Sequence, residues 1–103
     1  MKSIHDQIID DVVKRLWSCG RYVKIEICKE YGKRSNVIGE IDILATTYQG
    51  FEHFYEIKSN DKYEAKRKAK EQFHRYVNTF KDYNIKGIYV SFIGEKITSS
   101  RIR

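Results

Sequence analysis

Apolar residues recur at helical spacing in two stretches of the chain and at alternate positions in the segments between and after them. Ile4, Ile8, Ile9, Val12, Val13 and Leu16 fall on one stripe of a helix plotted at about 100° per residue. Ser3 is placed to cap that helix, Gly20 to end it, and the run is predicted to reach about Ser18. From Tyr22 to Cys28 the period becomes two, which predicts a strand with Val23, Ile25 and Ile27 on one face and Tyr22, Lys24 and Glu26 on the other. Lys29 to Asn36 is polar and basic and reads as a loop. Gly39–Leu44 and Phe54–Ser59 alternate again, and Tyr48-Gln49-Gly50 between them is a turn signal, so the two segments form a hairpin. A second helix follows to about Asp82, with Ala65, Ala69, Phe73, Tyr76, Val77 and Phe80 as its apolar stripe and Asp61 with Glu64 as a capping-box-like pair. Gly87–Ile93 is a short apolar run that reads as a buried strand. Strand, helix, strand in that order predicts a parallel pairing with a right-handed crossover. Glu95–Arg103 is an edge strand or a frayed tail. With no repeat or linker, the pattern predicts one α/β domain over residues 1–103: helix, three-strand antiparallel meander, helix, strand, on a mixed sheet.

Polar residues in positions the pattern would give to something else carry the chemistry. A hairpin centred near Gln49 sets Asp42 opposite Glu56, with Cβ atoms about 5 Å apart. Alternation puts Glu40 on the face of Asp42, and Lys58 on the face of Glu56, so two carboxylates and a lysine converge. Carboxylate oxygens suit a hard divalent cation, which could polarise a phosphodiester and acidify a bound water. On the hairpin alone, a surface ladder of cross-strand ion pairs accounts for the same residues. His5 and Gln72 each lie within the apolar stripe of their helix. A core-facing amide without partners costs about 1–3 kcal/mol, so both residues need either a site or a hydrogen-bonded place in the core.

Composition narrows the partners. The 103 residues are 41% hydrophobic and 33% charged, as in a globular rather than a disordered chain, and they carry a formal charge of +6. No apolar run approaches a membrane span and the charged start is not a secretory signal, so an intracellular (cytoplasmic) protein with no membrane partner is expected. Cys19 and Cys28 lack metal-type spacing and read as reduced thiols. The positive balance favours a polyanion. Lys62, Lys66, Arg67, Lys68, Lys70 and Arg75 share the polar face of the second helix, and Lys33 and Arg34 lie in the basic loop. Either set could contact phosphates or be solvated.

Gly39-x-x-Asp42 followed by Glu56-x-Lys58 resembles the PD-(D/E)XK nuclease superfamily, which includes restriction enzymes, archaeal Holliday-junction resolvases and RecB-type nucleases. Gln72-x-x-x-Tyr76 is similar to a motif of the RecB-like branch. The resemblance covers most of the chain and implies a restriction-endonuclease-like core. It also implies a divalent-metal-dependent DNA nuclease, an endonuclease or structure-specific nuclease acting in recombination, repair or replication, using Mg²⁺ with Mn²⁺ able to substitute. In that frame Asp42 and Glu56 hold the metal, the Ile57 carbonyl is a candidate further ligand, Lys58 positions or activates the attacking water, and Gln72 and His5 assist. The superfamily's first helix often supplies a glutamate; this chain has His5 there instead, and Glu26 is the candidate extra ligand. DNA would run over Lys33, Arg34, Lys62, Lys66, Arg67, Lys70, Arg75 and Tyr76. Small resolvases act as homodimers, and a homodimer is expected here. A non-catalytic nucleic-acid-binding module on the same fold and an RNA nuclease are the alternatives.

Overall fold

The computed structural model describes residues 3–33, 35–60, 62–82, 84–93 and 96–103. Helix α1 (Ile4–Ser18) is followed by strands β1 (Tyr22–Lys33), β2 (Asn36–Thr47) and β3 (Glu52–Lys58). Helix α2 (Tyr63–Phe80) then leads to β4 (Lys86–Ile93) and β5 (Lys96–Ile102). The sheet order is β1-β2-β3-β4-β5. The first three strands form the predicted antiparallel meander, β4 runs parallel to β3, and β5 returns antiparallel on the far edge. The segment read as an edge strand or a tail is thus the edge strand.

Local chemistry accounts for the helix boundaries. The Ser3 hydroxyl accepts the Asp6 N–H at 3.1 Å, satisfying one of the free amides at the start of α1. Before α2, Asn60 Oδ1 accepts the Lys62 N–H at 3.0 Å. Asp61, and with it the expected capping box, lies outside the described residues. Lys81 closes α2 in the left-handed conformation (φ +54°), so the helix stops short of the expected Asp82.

The two helices cover opposite faces of the sheet. Ile8, Ile9 and Val12 of α1 pack on Ile43, Ala45, Tyr55, Ile57 and Val90. Ala69, Phe73 and Tyr76 of α2 pack on Leu44, Phe54 and Tyr89. Strand β3 is therefore covered on both faces, and every residue from His53 to Ile57 is buried.

Two expectations for the first hairpin are corrected. Tyr22 is buried while Val23 and Ile27 are half exposed, so the aliphatic set does not face the core as a block. A register shift between Tyr22 and Lys24 moves the strand off strict alternation. The expected loop over 29–36 is also corrected: β1 continues through Lys29 to Lys33 and β2 begins at Asn36, which pairs with Lys33. Tyr31 anchors this extension, its ring edge-on to Tyr76 at 5.3 Å and tilted on Phe80 at 5.8 Å. Gly39 makes room for that ring, since a Cβ there would stand 2.6 Å from Tyr31 Oη. Among the described residues no helix is long and apolar enough to cross a membrane.

Candidate active site

Between β2 and β3 the ladder runs from Thr46↔Glu52 to Ile43↔Tyr55. One step further that register brings Asp42 opposite Glu56. There the Asp42 carboxylate takes over as acceptor, and Oδ2 receives the Ile57 N–H at 2.9 Å. Strand β2 also loses its alternation at this point: Ile41 packs in the α2-side cluster, Ile43 in the α1-side cluster and Leu44 in the α2-side cluster again. An odd spacing separates Ile41 from Leu44, so they share a side only because the strand is irregular around Asp42. On the neighbouring strand Cys28, next to Ile27 which pairs with Ile43, has a left-handed φ of +49°.

The two carboxyl groups meet at this irregularity. Glu56 is only 2% exposed, and its carboxyl is hydrogen-bonded to that of Asp42. Burial pushes the Glu56 pKa up to about 10, helped by the Asp42 hydrogen bond and charge and more weakly by Glu40, while the Lys58 ammonium opposes the rise. Two carboxyls this close cannot both be ionised without a compensating cation, so the pair holds a proton. Each acid is gripped from a different helix. His5 Nε2 of α1 lies 3.3 Å from Asp42 Oδ2, and its Nδ1 lies 3.6 Å from Asp6. With its amide nitrogen turned toward the acceptors, Gln72 of α2 donates to Glu56 Oε2 at 3.0 Å and to the Lys68 carbonyl at 3.3 Å. The site straddles the end of the sheet, reached from both faces.

No family model matches this sequence, and no curated protein matches it significantly. Among solved structures the chain is similar to a repair endonuclease from Pyrococcus abyssi, with a TM-score of 0.62 and 15% identity, over 88% of this chain and 38% of that one. It is also similar to the structure of SSO0001, with a TM-score of 0.54 and 18% identity, over 95% of this chain and 48% of that one. The fold is restriction-endonuclease-like. The architecture implied by the PD-(D/E)XK resemblance is the one present, and the chain spans less than half the length of either neighbour.

On this nuclease-type fold the donor set at Asp42 and Glu56 fits a hard divalent cation. Among the described residues no three His, Cys, Asp or Glu side chains group to hold a metal. Two carboxylates with water and a backbone carbonyl are nevertheless the kind of set Mg²⁺ accepts. The shared proton of the pair is what a cation would displace.

The remaining expected residues are placed less favourably. Glu26 is a correction. It stands opposite Leu44 rather than Asp42, and it pairs with Lys24 at 3.3 Å and Lys29 at 3.1 Å, which already match its charge. Tyr76 is a second correction. It is 4% exposed, donates to Glu52 Oε1 at 3.1 Å and packs on Tyr31, Phe54 and Phe80, so it braces the core and offers no surface to nucleic acid. Arg67 is exposed but clamped between Glu64 at 2.9 Å and Glu71 at 2.5 Å, which already match its charge. Lys33, Lys62, Lys66, Lys70 and Arg75 are exposed. Arg34 lies outside the described residues.

The rim of the site holds residues that pattern reading did not assign to it. Asp6 touches the far side of the His5 ring, and Cys28 stands beside Glu40 and Asp42, its thiol pKa raised by burial and by those carboxylates. Alternation along the strand puts Glu40 on the Asp42 face, which is the available signal. Nothing in the sequence marks Cys28 as adopting a left-handed backbone.

Proposed function

We propose that this protein is a divalent-metal-dependent nuclease that hydrolyses DNA phosphodiesters, in recombination, repair or replication. The observation that carries the reading is the buried Asp42–Glu56 pair. A surface ladder would set opposite charges face to face in water; here two acids face each other and one is almost fully buried, an arrangement that costs stability without a cation. The similarity to a repair endonuclease supports the same reading.

In it, Asp42 and Glu56, with the Ile57 carbonyl as a further candidate, hold Mg²⁺ or Mn²⁺. A cation bound there would supply charge against the developing phosphorane and lower the pKa of a coordinated water. The chain's own residues do the rest. Lys58 orients the attacking water or takes its proton. Gln72 fixes the Glu56 carboxyl and His5 the Asp42 carboxyl, so both oxygens are aimed before substrate arrives. Lys62, Lys66 and Lys70 on α2 bind backbone phosphates without regard to sequence. A homodimer belongs to this reading. The exposed Val23 and Ile27 on the edge strand β1, with Val37 and Ile38 on β2 beside it, give an apolar surface for it.

The test is a cleavage panel with Mg²⁺, Mn²⁺ or chelator on plasmid, a branched junction, single-stranded DNA and RNA, with Asp42→Asn in parallel. The expected result is metal-dependent DNA cleavage by the parent chain and none by Asp42→Asn, whose DNA binding survives or tightens as carboxylate–phosphate repulsion falls. Wild-type turnover by Asp42→Asn in Mg²⁺ would overturn the assignment. Preferential cleavage of RNA would move the substrate.

A further inference from the structure

A cleft of about 550 Å³ lies at the other end of β3 from the acidic pair. It is framed by Arg21 after α1, the β2–β3 turn, His53 at the start of β3 and Lys86 at the start of β4. Such a volume is in the range of small-molecule sites. His53 and Lys86 are register partners on adjacent parallel strands, so their side chains leave the sheet on the same face. Among the described residues neither Arg21 nor Lys86 makes an ion pair.

The turn presents aromatic surface rigidly. Tyr48 is 68% and Phe51 52% exposed, yet the loop that carries them is closed by Thr47. Its N–H donates to the Phe51 carbonyl at 2.8 Å, its Oγ1 accepts the Phe51 N–H at 3.0 Å, and its carbonyl accepts the Gly50 N–H at 3.0 Å. Gly50 takes the positive φ of +92° that this turn requires. Two aromatic rings held in water on an ordered turn are binding surface rather than frayed loop.

The floor of the cleft supplies a polar ring atom. His53 is 7% exposed, and its Nδ1 is 2.5 Å from Tyr22 Oη, which is 2.7 Å from Tyr55 Oη. The Tyr22 hydroxyl engages Nδ1, which leaves Nε2 as the ring nitrogen outside that network. No described residue bonds that Nε2, and no fully buried side-chain nitrogen or oxygen is left unpartnered, so Nε2 reaches open space, and the cleft is the space the ring lines. The field there is positive, since Lys86, Arg21 and Arg101 all help burial to hold the His53 pKa down.

We propose that this cleft is a nucleotide site, separate from the acidic pair. A phosphate lies between Arg21 and Lys86, a base lies against Tyr48 and Phe51, and His53 Nε2 hydrogen-bonds the ligand. Each part of a nucleotide meets the side chain suited to it: anion to unpaired cations, π-face to aromatic faces. The ligand is a free mononucleotide or the phosphorylated end of a strand, which share this chemistry. The proposal does not depend on metal-dependent hydrolysis.

The test uses the Asp42→Asn chain, so that the acidic pair cannot turn the probe over. Adenosine 5′-monophosphate, adenosine, inorganic phosphate, and a dinucleotide with and without a 5′-phosphate are titrated by calorimetry, and repeated with Lys86→Gln and Phe51→Ala. Both are exposed positions, and the melting midpoint confirms that each variant folds. The expected result is saturable binding of the monophosphate, weakened about tenfold or more by each substitution, with adenosine and phosphate alone weaker than the whole. Binding of only the 5′-phosphorylated dinucleotide, with the same sensitivity, supports the site and names a strand end as its source. No saturable binding of either probe at millimolar concentration overturns the proposal. So does binding that both substitutions leave unchanged, or phosphate that binds as well as the monophosphate.

Discussion

Replacing Glu56 by Gln should make the metal-free protein more stable at neutral pH while abolishing cleavage. The isostere keeps both hydrogen bonds of the native side chain: its amide N–H donates to Asp42 and its carbonyl accepts from Gln72. It removes the ionisable group. The folded protein holds a proton on Glu56 up to a pH of about 10, whereas the unfolded carboxyl releases it near 4.5. From 4.5 upward the unfolded chain therefore binds fewer protons than the folded one, and stability falls as pH rises through that window. At pH 7 the span above 4.5, at about 1.36 kcal/mol per pH unit, amounts to about 3 kcal/mol. The proton belongs to the Asp42–Glu56 pair, so the gain on substitution is expected at about 1–3 kcal/mol. That is a large part of the total stability of a domain this size. Urea denaturation in chelator at pH 4, 7 and 8.5 measures it. The variant should match the parent at pH 4, where both states are protonated, and exceed it increasingly at pH 7 and above. Added Mg²⁺ should raise the parent's midpoint and leave the variant's alone. A Glu56→Gln chain no more stable than the parent at pH 7, with a difference that does not change with pH, would refute a buried, proton-holding carboxyl at this position.

Gln72→Ala and His5→Ala should each lower the single-turnover cleavage rate by about tenfold, as a lost hydrogen bond to a carboxyl group implies, with little change in melting midpoint; a large fall in midpoint with an unchanged rate would return these residues to a packing role. Lys66→Ala combined with Lys70→Ala should weaken DNA binding alike across sequences and flatten the log–log salt slope by about 0.9 per lost phosphate contact, and an unchanged slope in a salt titration would mean this face is only solvated. Gly39→Ala should lower stability by about 1–3 kcal/mol, because the new methyl meets the Tyr31 ring, and a midpoint equal to the parent's in thermal melting would contradict that close approach.

The helices, the meander and the facing of Asp42 and Glu56 could be read from the chain because each rests on local periodicity. A two-residue period and a turn at Gly50 are enough to set a hairpin register, and the register is enough to oppose the two acids. The positions of His5 and Gln72 on apolar stripes told that each needed a polar partner, but not which one. Periodicity says which side of its own element a residue occupies. It does not say what packs across from that side. Only the tertiary structure showed that α1 reaches Asp42 from one face of the sheet and α2 reaches Glu56 from the other. The same limit explains the misplaced residues. Glu26 alternates correctly for a ligand, yet the pairing along β1 sets it beside Leu44 and between two lysines. Tyr76 completes a motif in sequence, but the curl of the β1–β2 hairpin over α2 encloses it with Tyr31. The irregularity at Asp42, with Cys28 in a left-handed conformation next door, arises where β2 stops pairing with β3 and the backbone must satisfy an amide with a side chain. That choice is made by the packed sheet and not by any one segment of it.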